Sequence, residues 1–288
     1  MPSGKQAANS LRSWGLTTLL VFTAGFFGAS ASASPSASPV PVRYKEGLIH
    51  AFVVLSTLDG APIAQGDATQ VAHGDRVTSQ LLFHFKDGSK QEETTVFSQR
   101  VDFRVITYHL LQKGPAFKHD TEVTVAVATG QVTVRYTGDD GKEKVETTHV
   151  QLPPDLANGI VPTLLKNVQP GTAQIEVPFL VATPKPRLIK LAIHSQGTEP
   201  FSVAGSGREA IHYVAKIELG GLAGVLAPLL GKDPPDAHVW IVGGDAPGFL
   251  KSEMLSYVGG PMWRIELFAP VWPPTRASSA KSGDGAKQ

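Results

Sequence analysis

Val77-Thr-Ser-Gln-Leu-Leu-Phe-His-Phe-Lys-Asp-Gly-Ser-Lys-Gln-Glu-Glu-Thr-Thr-Val-Phe97 carries the fold in miniature. In an extended chain Val77, Ser79, Leu81, Phe83 and Phe85 share one face, while Thr78, Gln80, His84 and Lys86 share the other. Asp87-Gly88 then supplies the positive backbone angles of a tight hairpin turn, and Thr95 and Phe97 continue the alternation beyond it. Two strands and a turn are therefore written into these residues, with one wetter and one drier face.

The same signature recurs outward in both directions. Asp59-Gly60 follows the strand-like run His50-Ala-Phe-Val-Val-Leu-Ser-Thr57, and Asp140-Gly141 is a third hairpin signal. Val101, Phe103 and Val105 alternate with Asp102 and Arg104. Val123, Val125 and Val127 alternate with Glu122 and Thr124, and Thr129-Gly130 turns the chain toward Val132 and Val134. Period-two runs return at Ile175–Val181, Ile211–Glu218 and Trp263–Leu267. Gly205-Ser-Gly207 lies between two such runs and reads as a hairpin turn, not as a nucleophile elbow, which needs a strand-to-helix step. The 29 Gly and 22 Pro fit many short connections.

Only two stretches look helical. Asp155-Leu-Ala-Asn-Gly-Ile-Val-Pro-Thr-Leu-Leu-Lys-Asn167 has a capping residue in Asp155, but Gly159 and Pro162 make it short or kinked. Gly221-Leu-Ala-Gly-Val-Leu-Ala-Pro-Leu-Leu-Gly231 is apolar throughout, a short buried helix or a flexible apolar loop that serves as a plug or a lid. About a dozen strands and one or two short helices make an all-β fold: a large curved antiparallel sheet or barrel. Such a sheet closes most of its own edges. A two-sheet β-sandwich is the competing architecture. Strands with apolar residues on both faces favour the barrel-like form: Leu82 opposite Phe83, Ile106 and Tyr108 opposite Val105, Trp240 opposite Val239 and Ile241.

The ends read differently. Lys5 and Arg12 precede the apolar run Leu16–Phe27, and Ala29-Ser-Ala31 and Ala31-Ser-Ala33 follow it, which together describe a secretory signal peptide over residues 1–33. The apolar run is too short to span a membrane. No cysteine stands near the cleavage point, so no lipid is expected there, and no later stretch reaches spanning length. The product is expected to be periplasmic or extracellular and soluble. Residues 34–42 form a Pro/Ser linker, residues 43–274 a single β domain, and residues 275–288 a Ser/Lys/Gly/Ala-rich disordered tail.

Loss of Lys5 and Arg12 with the leader takes the formal net charge from +1 to −1. A chain this neutral lacks the basic surface that nucleic-acid binding needs. With no cysteine, disulfides, Cys-ligated metals and cysteine nucleophiles are excluded.

The segment from 211 to 267 carries a resemblance. His212-Tyr-Val-Ala-Lys-Ile-Glu218 leads through a Gly-Gly connector to Val239-Trp-Ile-Val242. Asp245-Ala-Pro247, Leu250-Lys-Ser-Glu-Met254 and Gly259-Gly-Pro-Met-Trp-Arg-Ile-Glu-Leu267 follow. This order resembles the C-terminal part of an uncharacterised family of exported bacterial β proteins, a domain of unknown function, themselves similar to lipocalin-like or lipoprotein-carrier-like half-barrels. The resemblance implies an exported, curved antiparallel sheet and assigns no catalytic residue.

Chemistry-bearing patterns are sparse. None of the nine histidines stands in H-x-H, H-x-x-H or H-E-x-x-H spacing; His73-Gly-Asp75 and His119-Asp120 come closest. A sheet can still gather ligands from distant strands. Gly224 to Lys232 has the wrong spacing for a phosphate loop. Glu92, Glu93, Asp102, Glu176 and Glu218 are the carboxylates from which a hydrolase pair could be drawn, and most alternate with apolar residues as solvent-facing groups do. The strongest constellation is aromatic: Phe83, Phe85, Phe97, Phe103, Tyr213, Trp240 and Trp263. These residues build either an ordinary β core or the lining of a cavity for a lipid or another apolar small molecule. No cofactor and no metal is implied. An apolar-ligand binder, an extracytoplasmic hydrolase with a strand-borne site, and a structural or partner-binding envelope protein are the three readings left open.

Overall fold

A computed structural model describes residues 39–203, 205–218 and 234–268. The expected signal peptide, most of the expected linker, the apolar stretch 221–231 and the expected C-terminal tail lie outside the described residues. The first meander comprises β1 (Ile49–Thr57), β2 (Pro62–His73), β3 (Arg76–Phe85), β4 (Lys90–Gln99), β5 (Phe103–Lys113), β6 (Thr121–Ala126), β7 (Gln131–Thr137) and β8 (Glu143–His149). One helix, α1 (Val161–Asn167), separates it from β9 (Ile175–Val181), β10 (Arg187–Val203), β11 (Ser206–Glu218), β12 (Ala237–Val242), β13 (Gly248–Leu255) and β14 (Met262–Leu267).

All fourteen strands belong to one antiparallel sheet, in the order β8-β7-β6-β5-β4-β3-β2-β1-β14-β13-β12-β11-β10-β9. The two meanders join where β1 pairs with β14, Val53 lying opposite Leu267 and Thr57 opposite Trp263. The sheet is curved but not closed, since β8 and β9 remain as its two edges. The large curved antiparallel sheet is therefore the architecture, and the two-sheet sandwich is not. Among the described residues no helix is long and apolar enough to cross a membrane.

Each Asp-Gly pair lies in a hairpin turn, with Gly60, Gly88 and Gly141 at positive φ of 92°, 86° and 72°. Side chains explain one further glycine. Gly66 on β2 lies opposite Phe83 on β3, and a Cβ there would meet the Phe83 ring at 2.7 Å and the Leu82 carbonyl oxygen at 2.0 Å.

The helix begins later than the sequence suggests. Gly159 has φ +72°, which a helix cannot continue through, so α1 starts at Val161 with Ile160 before it and no side-chain cap. Pro162 then occupies the first turn, where no backbone donor is needed. The C-terminal end is pinned to the chain before β1. Asn167 Oδ1 accepts from the backbone N–H groups of Arg43 (2.8 Å) and Tyr44 (2.7 Å), and Lys166 forms a buried ion pair with Glu46. Nearby, Val40 is buried and Val42 N–H donates to Val101 O, so the described chain already lies on the sheet ahead of Arg43.

The main core shows which side of the sheet is filled. It joins Val123, Val125, Val132 and Val134 of one meander to Tyr213, Ala215, Val239 and Ile241 of the other. Strands so far apart in the sheet order can meet only across its concave side. Leu156, Ala157, Ile160, Leu164 and Leu165 stand between them, each 3% exposed or less. A second cluster closes another part of the concavity: Val53, Leu55, Phe83, Phe85 and Trp263 pack with Phe117 and Tyr257.

Candidate functional site

The aromatic constellation divides three ways. Phe97, Phe103 and Tyr213 belong to the main core, with the Phe97 and Phe103 rings 6.1 Å apart. Phe83, Phe85 and Trp263 belong to the second cluster, where Phe117 stacks edge-on against Phe85 at 5.4 Å and lies 5.9 Å from Trp263. Trp240 faces the other way: it alternates with Val239 and Ile241 and packs with Phe201, Ala210 and Leu250 on the convex side. All seven are 7% exposed or less.

A polar row runs through the concave face beside these aromatics. On β4, Gln91, Glu93 and Thr95 share the side of Phe97, and their cross-strand partners on β5 are Gln112, Leu110 and Tyr108. Tyr108 shares the face of Val105, not the opposite one, because the β4–β5 register shifts beside Ile106. Gln112 Nε2 donates to Gln91 Oε1 (3.0 Å) and to Ser256 O (2.9 Å), tying β5 to the turn between β13 and β14.

Glu93 is the chemically distinctive member of the row. Its cross-strand neighbours are Leu81 and Leu110, and burial raises its carboxyl pKa from 4.5 to about 7, against the opposing pull of the Tyr108 hydroxyl. The same burial, and the nearby carboxyl group, push the Tyr108 hydroxyl well above its ordinary range. A Cβ on Gly159 would meet Thr95 Oγ1 at 1.9 Å and Glu93 Oε1 at 3.1 Å, so only glycine lets the chain pass over this acid. Thr95 Oγ1 is buried and finds no hydrogen-bond partner among the described residues.

The other candidate carboxylates are held by cations or stand exposed. Glu92 pairs with Lys90, Asp102 with Arg104 and Glu176 with Lys190; Glu218 is exposed. His119 pairs with Asp139 at 3.4 Å, while Asp120 caps the β5–β6 loop by accepting from Gly114 N–H. His73 is exposed and Asp75 pairs with Lys45.

The convex face holds a constellation that sequence spacing hides. Glu199 on β10, His212 on β11, His238 and Trp240 on β12 and Lys251 on β13 converge there. Strand register supplies the convergence, with His212 opposite Trp240 and Trp240 opposite Lys251. His212 Nδ1 lies 2.9 Å from Glu199 Oε1, and His212 Nε2 lies 2.9 Å from His238 Nδ1. Trp240 Nε1 donates to Glu199 Oε2 at 2.9 Å. The His212 ring stacks on Trp240 at 4.2 Å and 9°, and Lys251 Nζ sits 3.8 Å from the Trp240 ring centroid.

One proton arrangement that satisfies this chain has His238 Nδ1–H donating to His212 Nε2 and His212 Nδ1–H donating to the Glu199 carboxylate. His212 is then neutral. Burial depresses its pKa, the charges of His238 and Lys251 add to that, and Glu199 opposes it. Burial likewise lowers the Lys251 ammonium pKa. Chemically the group can relay a proton between Glu199 and His238. Among the described residues no set of three histidines or carboxylates is arranged to hold a metal.

Among the described residues two depressions lie elsewhere, and both are open. One, of about 550 Å³, lies between the β5–β6 loop and the β7–β8 turn, around Phe117, His119 and Asp139. The other, of about 500 Å³, lies over β1–β3 around Phe52, Asp67 and His84.

No family model matches the chain, and no curated protein matches it. Among solved structures it is similar to a β-barrel-like protein of a domain of unknown function (DUF1849) from Brucella abortus, at 8% identity and a TM-score of 0.43. The match covers 83% of this chain and 100% of that one.

Proposed function

We propose that the protein is exported and serves outside the cytoplasm as a partner-binding β scaffold. One observation carries this reading: the concavity where a carrier would hold its ligand is occupied by the protein's own segment from Leu156 to Leu165. Export is supported by the leader, with Lys5 and Arg12 before Leu16–Phe27 and two small-residue exits after it. Native mass spectrometry of protein recovered from the extracytoplasmic fraction tests both halves. The expected result is a bare chain beginning after Ala31 or Ala33, with no enhancement of a lipophilic dye. A co-purified lipid, or an uncut N-terminus, overturns it.

A second reading has one observation in its favour. The near-neutral Glu93 carboxyl and the unpartnered Thr95 hydroxyl, under Gly159, would anchor the polar end of an apolar ligand if α1 swung outward. Phe97, Phe103 and Tyr213 would then line the space it left. A lipid adduct lost on Glu93→Ala would establish this carrier reading.

A further inference from the structure

The two edges of the sheet are finished differently. Along β9 the edge is covered: Ala157 N–H donates to Pro178 O, and the Asn158 side chain closes on both backbone groups of Leu180. Proline at position 178 suits such an edge, where a donor is dispensable.

Along β8 the edge is open. Gly138 N–H donates to Lys142 O and Val150 N–H to Gly130 O, each at 2.8 Å, so the pairs at both ends of the β7–β8 hairpin sit in bonded positions. Register and alternation then assign every residue between them. Lys144, Glu146 and Thr148 turn their backbone groups toward β7. Glu143, Val145, Thr147 and His149 turn theirs outward. All seven residues of β8 are exposed, and among the described residues nothing bonds to the outward groups.

Charge on an open edge ordinarily discourages pairing. Here the charges are self-complementary. When two β8 strands meet antiparallel about Val145, Lys144 of each copy faces Glu146 of the other, and Glu143 faces Thr147. The outward groups of 143, 145 and 147 then meet in bonded positions. The Lys–Glu pairs fall in the non-bonded positions, where side chains approach most closely. Centring the pair on Glu146 sets glutamate against glutamate, and centring it on Lys144 sets lysine against lysine, so of these three registers only the one about Val145 joins opposite charges without facing like ones.

We propose that β8 is a homotypic docking edge that pairs with β8 of a second copy across a twofold axis through Val145, joining two open sheets into one. This rests on the partner-binding reading and names the partner. A seven-residue strand contact is smaller than a standard interface, so the association is weak and reversible.

Sedimentation equilibrium of the mature chain between about 5 μM and about 1 mM covers weak association of this kind. The mass is expected to rise toward twice the monomer, with the amide protons of Val145 and Thr147 gaining exchange protection. Val145→Pro removes an outward donor that β7 does not use, so the monomer should fold normally and fail to pair. Glu146→Lys sets lysine against Lys144 and should weaken pairing at least about tenfold. The double exchange Lys144→Glu with Glu146→Lys should restore it. A monomer at every concentration, pairing that survives Val145→Pro, or a double exchange that fails to rescue overturns the proposal. The outcome is separable from that of the scaffold reading: an empty monomer overturns only the pairing, whereas a lipid-laden dimer overturns only the scaffold.

Discussion

Asn158→Ala probes how this sheet tolerates being open. Asn158 is 2% exposed, and its amide behaves as one rung of an extra strand. Oδ1 accepts from Leu180 N–H at 2.8 Å and Nδ2 donates to Leu180 O at 2.9 Å. Leu180 is itself 1% exposed, so water does not readily replace the lost amide. Alanine leaves a buried donor and a buried acceptor unpaired, each costing about 1–3 kcal/mol, for a total of about 2–6 kcal/mol. In domains of about 150–250 residues each kcal/mol lowers the melting temperature by about 2–4 °C, so a fall of about 4–24 °C is expected. Urea unfolding should show the same loss with an unchanged slope, because the exposed surface does not change. Asn158→Asp keeps the acceptor but removes the donor and buries a charge, so it should be no better than alanine. A loss below about 1 kcal/mol for alanine would refute the reasoning, because the β9 edge would then be satisfied without Asn158.

Other consequences follow from the titratable groups. Glu93 keeps its proton to about pH 7 in the folded chain but to only about 4.5 when unfolded, so its contribution is complete below pH 4.5 and is lost as pH rises through 7. The loss amounts to up to about 3 kcal/mol. Urea titrations at pH 5 and pH 8 should show it in the native chain and not in Glu93→Gln; an equal slope with pH in both would sink the assignment. For His212 the sign is opposite. Its depressed pKa makes its contribution complete above about 6.5, and protonation at lower pH removes it by placing a cation among His238 and Lys251. The difference in fluorescence between the native chain and Trp240→Phe should titrate with a midpoint below 6.5, and a midpoint above that value would contradict the stacked, neutral imidazole.

Local signals of the fold were legible because they depend on adjacent residues. Asp59-Gly60, Asp87-Gly88 and Asp140-Gly141 each specify a turn through the backbone alone, and alternation specifies each strand's faces. Glu93 shares the parity of Thr95 and Phe97 and so turns inward, against the solvent-facing reading of the carboxylate set it belongs to. The face of Tyr108 was not legible, because the irregularity beside Ile106 is a property of two paired strands and not of either one. α1 starts at Val161 and not at the capping residue Asp155, because Gly159 adopts a positive φ to pass Glu93 and Thr95. His212 and His238 meet only once β11 and β12 are set in register, and no spacing in a single strand encodes that.

The openness of the sheet can be argued from β8 itself. Val132 and Val134 are the last buried apolar pair of the concave wall on β7. Their partners on β8 are Thr148 and Glu146, and Tyr136 lies opposite Lys144. The concave wall therefore ends in charge one strand before the sheet does. Closing the barrel by pairing β8 with β9 would carry Lys144 and Glu146 toward the apolar side of α1, and an unpaired buried charge costs several kcal/mol. It would also displace the Ala157–Asn158 segment from the β9 edge, giving up bonds already made. The backbone bonds gained by closure contribute about 1 kcal/mol each and would be offset by both losses. An open sheet, filled from within by its own connecting segment, is thus the arrangement in which the apolar residues of the first meander are buried and its charged last strand stays in water.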